Sequence, residues 1–201
     1  DDFALVRFDV QQIEVFYGGS SISQAPDLTI ESPIEEEYLS VTSGDFNGDG
    51  TSDLVAQYNA GNRIEVYLGG DGADGQFDHL IDPGDSDFEG FYDLKIIGDV
   101  NGNGADDLMA TDAGFFGDQQ NVAVFFGGSS LPSTPDETFQ YENGYVETTA
   151  VPGDLNGDGI DDFVLGRPNF QEGDSTPGRA DVYFGSEDPS FSSPDLTLLP
   201  D

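Results

Sequence analysis

Cysteine and tryptophan are absent, and histidine and methionine occur once each. Without cysteine there is no disulfide framework and no thiolate metal site. With His79 as the lone imidazole there is no histidine pair for a metal, and the serines lack a base that would activate one as a nucleophile. His79 is expected to be a surface or hydrogen-bonded side chain, not a catalytic one. Basic residues are nearly missing: Lys95, Arg7, Arg63, Arg167 and Arg179 stand against 41 acids, for a formal charge of −36. Nucleic acid and anionic membrane surfaces both need a basic face, so neither is expected as a partner. No apolar run reaches the roughly 18 residues of a membrane-spanning helix, so no membrane insertion is expected. Sustained 3.6-residue periodicity is missing too, which leaves helices without a signal. The chain opens inside a motif, with neither initiator methionine nor leader, and is expected to be a mature or excised piece.

What is abundant is Asp, Asn and Gly in a fixed spacing. Three segments share it: GDFNGDGTSDLV (44–55), GDVNGNGADDLM (98–109) and GDLNGDGIDDFV (153–164). Side-chain oxygens fall at every second position: Asp45, Asn47, Asp49; Asp99, Asn101, Asn103; Asp154, Asn156, Asp158. A glycine follows, then a residue whose main-chain carbonyl is expected to serve (Thr51, Ala105, Ile160), then an aspartate at position nine (Asp53, Asp107, Asp162). A hard cation such as calcium takes six to eight oxygens at about 2.3–2.6 Å, and a short loop of alternating oxygens can supply them. Nothing provides the phosphates that magnesium sites usually exploit, so calcium is the expected ion. An EF-hand is excluded, because it needs a glutamate at position twelve and a following helix. Position twelve is Ala56, Ala110 and Leu165, inside short apolar runs of strand character. All the ligands of a site come from one hairpin, which predicts three structural calcium ions, the middle one weakest for want of a third carboxylate. Three such ions would still leave the charge near −30, an excess that reads as a solvated surface suited to saline surroundings.

The loops begin at Asp45, Asp99 and Asp154, so the chain repeats about every 55 residues. Two more landmarks recur: IEVFYGG (13–19), IEVYLGG (64–70), VAVFFGG (122–128) and ADVYFGS (180–186); and PDLTI (26–30), PDETF (135–139) and PDLTL (194–198), with GQFDHL (75–80) in the same slot. DDFALV (1–6) aligns with DDFVLG (161–166), just past a loop. The repeats are 1–37, which lacks its first strand and loop, then 38–91, 92–144 and 145–201. Each reads as four strands. In the second these are 38–44, 52–58, 63–69 after a Gly-Asn turn, and 77–81. An all-β, β-propeller-type array of four-stranded blades follows, either a partial propeller or a small ring. A β-sandwich array is the competing architecture.

The D-x-N-x-D-G-x-x-D loops, combined with Tyr/Phe-Gly-Gly strand ends, resemble the FG-GAP repeat of integrin α-subunit β-propellers and their bacterial relatives, over the whole chain. Two features depart from that pattern: the Gly-Ala-Pro element is absent, and Asn103 stands where a third carboxylate is usual. The family's propellers have seven blades, so four repeats would be about half a ring. The resemblance implies a calcium-binding, non-catalytic module for adhesion, surface display or assembly, at the cell surface or secreted, in keeping with a marine or saline-environment microbe. Its partners would be another protein, copies of itself in a filament or ring, or carbohydrate. The alternatives are an accessory propeller of a secreted carbohydrate-active enzyme and a lectin-like module. With so many acids, some carboxylate pair always lies at a hydrolytic distance, so pairs alone carry no signal.

Overall fold

The computed structural model describes residues 2–18, 20–31, 38–58, 63–82, 91–112, 119–142, 144–171 and 177–199. The expected Gly-Asn turn (61–62) and the boundary between the first two repeats lie outside the described residues, as does Asp1. Among the described residues fifteen strands form four antiparallel meanders. The first sheet has three: β1 (Phe3–Arg7), β2 (Gln12–Phe16) and β3 (Leu28–Glu31). The second contains β4 (Tyr38–Gly44), β5 (Asp53–Tyr58), β6 (Ile64–Tyr67) and β7 (His79–Ile81). The third contains β8 (Phe91–Gly98), β9 (Asp107–Asp112), β10 (Gln119–Phe125) and β11 (Glu137–Glu142). The fourth contains β12 (Thr148–Gly153), β13 (Asp162–Arg167), β14 (Arg179–Tyr183) and β15 (Leu196–Leu198). No helix occurs among the described residues. Among the described residues the first sheet has three strands where the others have four.

Strand alternation sends successive side chains to opposite faces, and here both faces are apolar because each middle sheet is covered twice. Ile13 and Ile30 of the first sheet pack on Ala56 and Tyr67 of the second. Val55, Ile64, Val66 and Ile81, on the other face of the second, meet Leu94, Leu108, Ala110 and Phe125 of the third. Val122, Val124 and Phe139 meet Phe163, Leu165, Tyr183 and Phe191 of the fourth. Aromatic rings concentrate at this last joint, where Phe163 stacks on Tyr183 at 4.9 Å. The inner strand β8 lies against both β4 and β12. Hydroxyls stitch β4 to β8: Ser40 Oγ accepts from Leu94 N at 3.2 Å, and Thr42 Oγ1 accepts from Ile96 N at 3.2 Å. Sheets stacked in series about their inner strands make an open, partial β-propeller of four blades, not a sandwich.

The P-D landmark has a physical cause. Asp27, Asp78, Asp136 and Asp195 each accept the amide that ends the third strand, from Tyr17, Leu68, Phe126 and Phe184, all at 2.8 Å. Each also donates its own amide to that strand, to Val15, Val66, Val124 and Val182. The outer strand is thus pinned at its first residue. In the second sheet pairing starts only there, so the strand expected over 77–81 is confined to His79–Ile81, and Phe77 lies outside under the Arg63 guanidinium at 5.1 Å.

Phe125 is wholly buried between the second and third sheets, edge-on to Phe91 at 6.1 Å. Phe125→Ala is expected to cost about 3–5 kcal/mol, measured by urea unfolding. A loss under about 1 kcal/mol would mean the joint between those sheets is not a packed core.

Candidate metal centre in three carboxylate loops

Each loop is the hairpin between the first two strands of its sheet. The three close in the same way. The position-one carboxylate accepts the amides of positions five and six, and Asp154 also accepts Gly157 N at 2.6 Å. Asp45 takes those of Asp49 (2.9 Å) and Gly50 (2.8 Å), and Asp99 takes those of Asn103 (2.9 Å) and Gly104 (2.8 Å). Asp154 takes those of Asp158 (3.1 Å) and Gly159 (2.8 Å). The position-three Asn oxygen also accepts the position-five amide, at 2.8, 3.0 and 2.9 Å. The position-seven amides of Thr51, Ala105 and Ile160 donate to position five at 2.8, 2.8 and 2.9 Å. Gly50, Gly104 and Gly159 hold φ near 90° with nothing within 4 Å of where a Cβ would stand, so glycine serves conformation here and not space. Positions one to seven of each expected set therefore share one hydrogen-bonded loop.

The position-nine aspartates do more than the sequence indicated. Asp53, Asp107 and Asp162 are wholly buried. One oxygen accepts an amide of the same loop: Asn47 N at 3.1 Å, Val100 N at 2.9 Å, Leu155 N at 2.6 Å. The other accepts the first amide of the Gly-Gly or Gly-Ser turn: Gly69 N, Gly127 N and Gly185 N, each at 2.9 Å. Burial raises the Asp53 and Asp107 carboxyls, Asp107 to about 7, against the pull of those amides; nearby Asp45, Asp49 and Asp99 push the same way. Exposed Asp154 is lowered, chiefly by the Gly159 amide.

Consecutive loops also dock on one another, through residues that the ligand pattern does not include. Asp106 Oδ2 accepts Asp45 N at 2.8 Å while Asp106 N donates to Asp45 O at 2.9 Å. Asp161 repeats both bonds with Asp99, at 3.2 and 3.1 Å. The next loop residue then plugs the joint: Phe46 O accepts Gly128 N at 2.8 Å and Val100 O accepts Ser186 N at 3.0 Å, with both side chains buried. This approach is why the turn begins with glycine. A Cβ on Gly127 would lie 2.1 Å from Asp106 O, and one on Gly185 2.3 Å from Asp161 O. A signal was present in the DD pairs at 106–107 and 161–162, where 52–53 reads SD.

No basic side chain reaches the loops. Arg7 pairs with Asp9 and Glu14, Arg63 with Glu65, Lys95 with Asp93, and Arg167 and Arg179 with Asp181, which uses all five. The donor set is entirely oxygen, as a hard cation requires. Among the described residues no three His, Cys, Asp or Glu side chains gather as a metal group of those types alone. Asn and main-chain oxygens must therefore complete any coordination shell. The middle loop differs further: Asn103 commits its amide nitrogen to Gly127 O at 2.9 Å. His79 is held by Pro132 O at 2.9 Å, a tie between the second and third repeats.

Residues 148–183 match the family model of the FG-GAP repeat, a span that covers β12, the third loop, β13 and β14. No curated protein matches the chain.

Asp162→Ala would strand two inward amides, Leu155 N and Gly185 N. It is expected to cost about 2–6 kcal/mol even in excess chelator, at about 1–3 kcal/mol per stranded donor. Asp154→Ala, whose amides can turn to water, should cost about 1 kcal/mol under the same conditions. Equal losses by chemical denaturation would refute the structural role assigned to position nine.

Proposed function

We propose that the chain is a calcium-stabilised, non-catalytic propeller module that works outside the cell in adhesion, surface display or assembly. One observation carries the calcium reading: eight loop carboxylates, three of them wholly buried, have no cationic side chain, because every Lys and Arg is paired elsewhere. Uncompensated buried charge is strongly unfavourable. Calcium, when bound, supplies two positive charges to each such group. The chain's part is to aim Asp45, Asn47, Asp49, Thr51 O and Asp53, and their counterparts, into one loop. The propeller reading is supported by the match over 148–183 and by the serial stacking of sheets. Adhesion and assembly follow only from what such modules do, since a fold hosts many functions.

Calorimetry with calcium and with excess chelator tests this. Chelation should lower the Tm, because an ion that binds only the folded state stabilises it. In saturating calcium, Asp45→Ala and Asp154→Ala should each lose more stability than Asp99→Ala, since the middle loop has fewer carboxylates to lose. An unchanged melt, with no calcium found by elemental analysis, would sink the reading.

Location has its own measure. Loops of extracellular modules bind calcium with Kd of roughly 0.1–1 mM, which cytosolic calcium would not fill. Calcium titration should give values in or near that range. A nanomolar Kd would remove the reason for placing the protein outside the cell.

A further inference from the structure

Position eight of a loop lies between the expected carbonyl ligand and the buried aspartate, but in the second and third loops it works for a neighbour. Asp106 accepts the Asp45 amide and donates its own amide to the Asp45 carbonyl, and Asp161 does the same for Asp99. Asp45 and Asp99 are the first residues of the preceding ligand sets. Each is thus held, at its amide and at its carbonyl, from the next repeat. The residue before it leaves room for this. A Cβ on Gly44 would lie 2.5 Å from Asp106 Oδ2, and one on Gly98 would meet Asp161 Oδ2 as closely. The loop tips touch as well: a Cβ on Gly48 would lie 3.2 Å from that of Ala105, and one on Gly102 3.1 Å from Cδ1 of Ile160. The position-one carboxylate has to face any bound ion while it accepts amides of its own loop. Where its main chain is fixed beforehand, less ordering is left for the binding step.

We propose that Asp106 and Asp161 are positioning residues for the ion of the preceding loop, so that calcium affinity at the first and second loops is set by carboxylates 61 and 62 residues further along the chain. The inference rests on the calcium reading given above. Neither carboxylate belongs to the coordinating set of the loop it serves. Each acts through the main chain of position one, and what it supplies is an acceptor oxygen for that residue's amide. Affinity at one loop therefore depends on whether the next loop is docked against it, which couples neighbouring sites without a shared ligand.

Calcium titrated into the whole chain, labelled with nitrogen-15 and first stripped with chelator, tests this. The amide resonances of Gly50, Gly104 and Gly159 report the three loops separately. Asp106→Ala should weaken calcium at the first loop by at least about fivefold, and should leave the third within about twofold. The second loop, which contains the substituted position, should lose less than the first. Asp161→Ala should move the pattern one joint along, weakening the second loop most and sparing the first. Asp106→Asn keeps an acceptor oxygen. It should hold the first loop within about twofold of the unsubstituted chain at about 0.5 M salt, where the lost charge is screened. A loss confined to the loop that carries the substitution, no loss at any loop, or an Asn variant as weak as the Ala variant would each overturn the proposal and leave the calcium reading standing. If no loop of the unsubstituted chain responds to calcium, the calcium reading falls and this inference with it.

Discussion

Everything in this molecule hangs on a carboxylate that accepts two amides from different parts of one repeat. Asp53, Asp107 and Asp162 each join the loop between the first two strands to the glycine turn after the third. A hydrogen bond to a charged acceptor is among the stronger ones available, and a buried amide left without one is costly. The bond therefore fixes where the loop sits relative to the sheet end. That placement sets everything built on it: the loop ligands, the next loop's docking, and the plug in the following joint. Sheet one keeps the turn half of the same clamp, where Asp2 Oδ1 accepts Gly18 N at 2.6 Å.

The arrangement explains how so acidic a chain can pack loop against loop. Asp106 and Asp161 face the preceding loops through amide donors, not through other carboxylates. The loop's own amides point inward at its carboxylates and spread the negative charge over main-chain dipoles. Amides are only partial charges, and the raised Asp53 and Asp107 carboxyls record what they leave uncompensated. That remainder is what the proposed divalent ion would neutralise.

The two faces of each sheet are not equivalent, and the ends of the array make this visible. Leu54, Ala56 and Tyr67 meet the preceding sheet; their counterparts in the first sheet, Phe3, Leu5 and Phe16, face no other sheet among the described residues, and Phe3 and Leu5 are exposed. Phe3 covers Phe16 instead, ring on ring at 4.9 Å. At the far end Leu155, the counterpart of buried Phe46 and Val100, is 51% exposed, and Leu198 is exposed where Ile30 and Ile81 are buried. The same residue type at the same repeat position is core or surface according to whether another sheet follows.

The sequence alone determined the recurring landmarks, the all-β class and the four-strand unit. Those follow from local chemistry: alternating apolar runs, glycine turns and oxygen-bearing side chains recur in the order of the chain. It also indicated the loops that hold positions one to seven of each expected set, with Asp53, Asp107 and Asp162 at the heads of β5, β9 and β13, because the spacing of a tight turn is itself local. It indicated the short β7 only roughly, since Asp78 starts that strand through bonds to residues ten or more positions away. What tertiary structure decided was how the repeats meet. The second role of Asp162 rests on Gly185, 23 residues on, and the docking of Asp106 on Asp45, 61 residues back. A repeat pattern records which residues recur but not which copies touch. Only the stacking of one sheet on the next converts a recurring aspartate into a clamp and a glycine into a close approach.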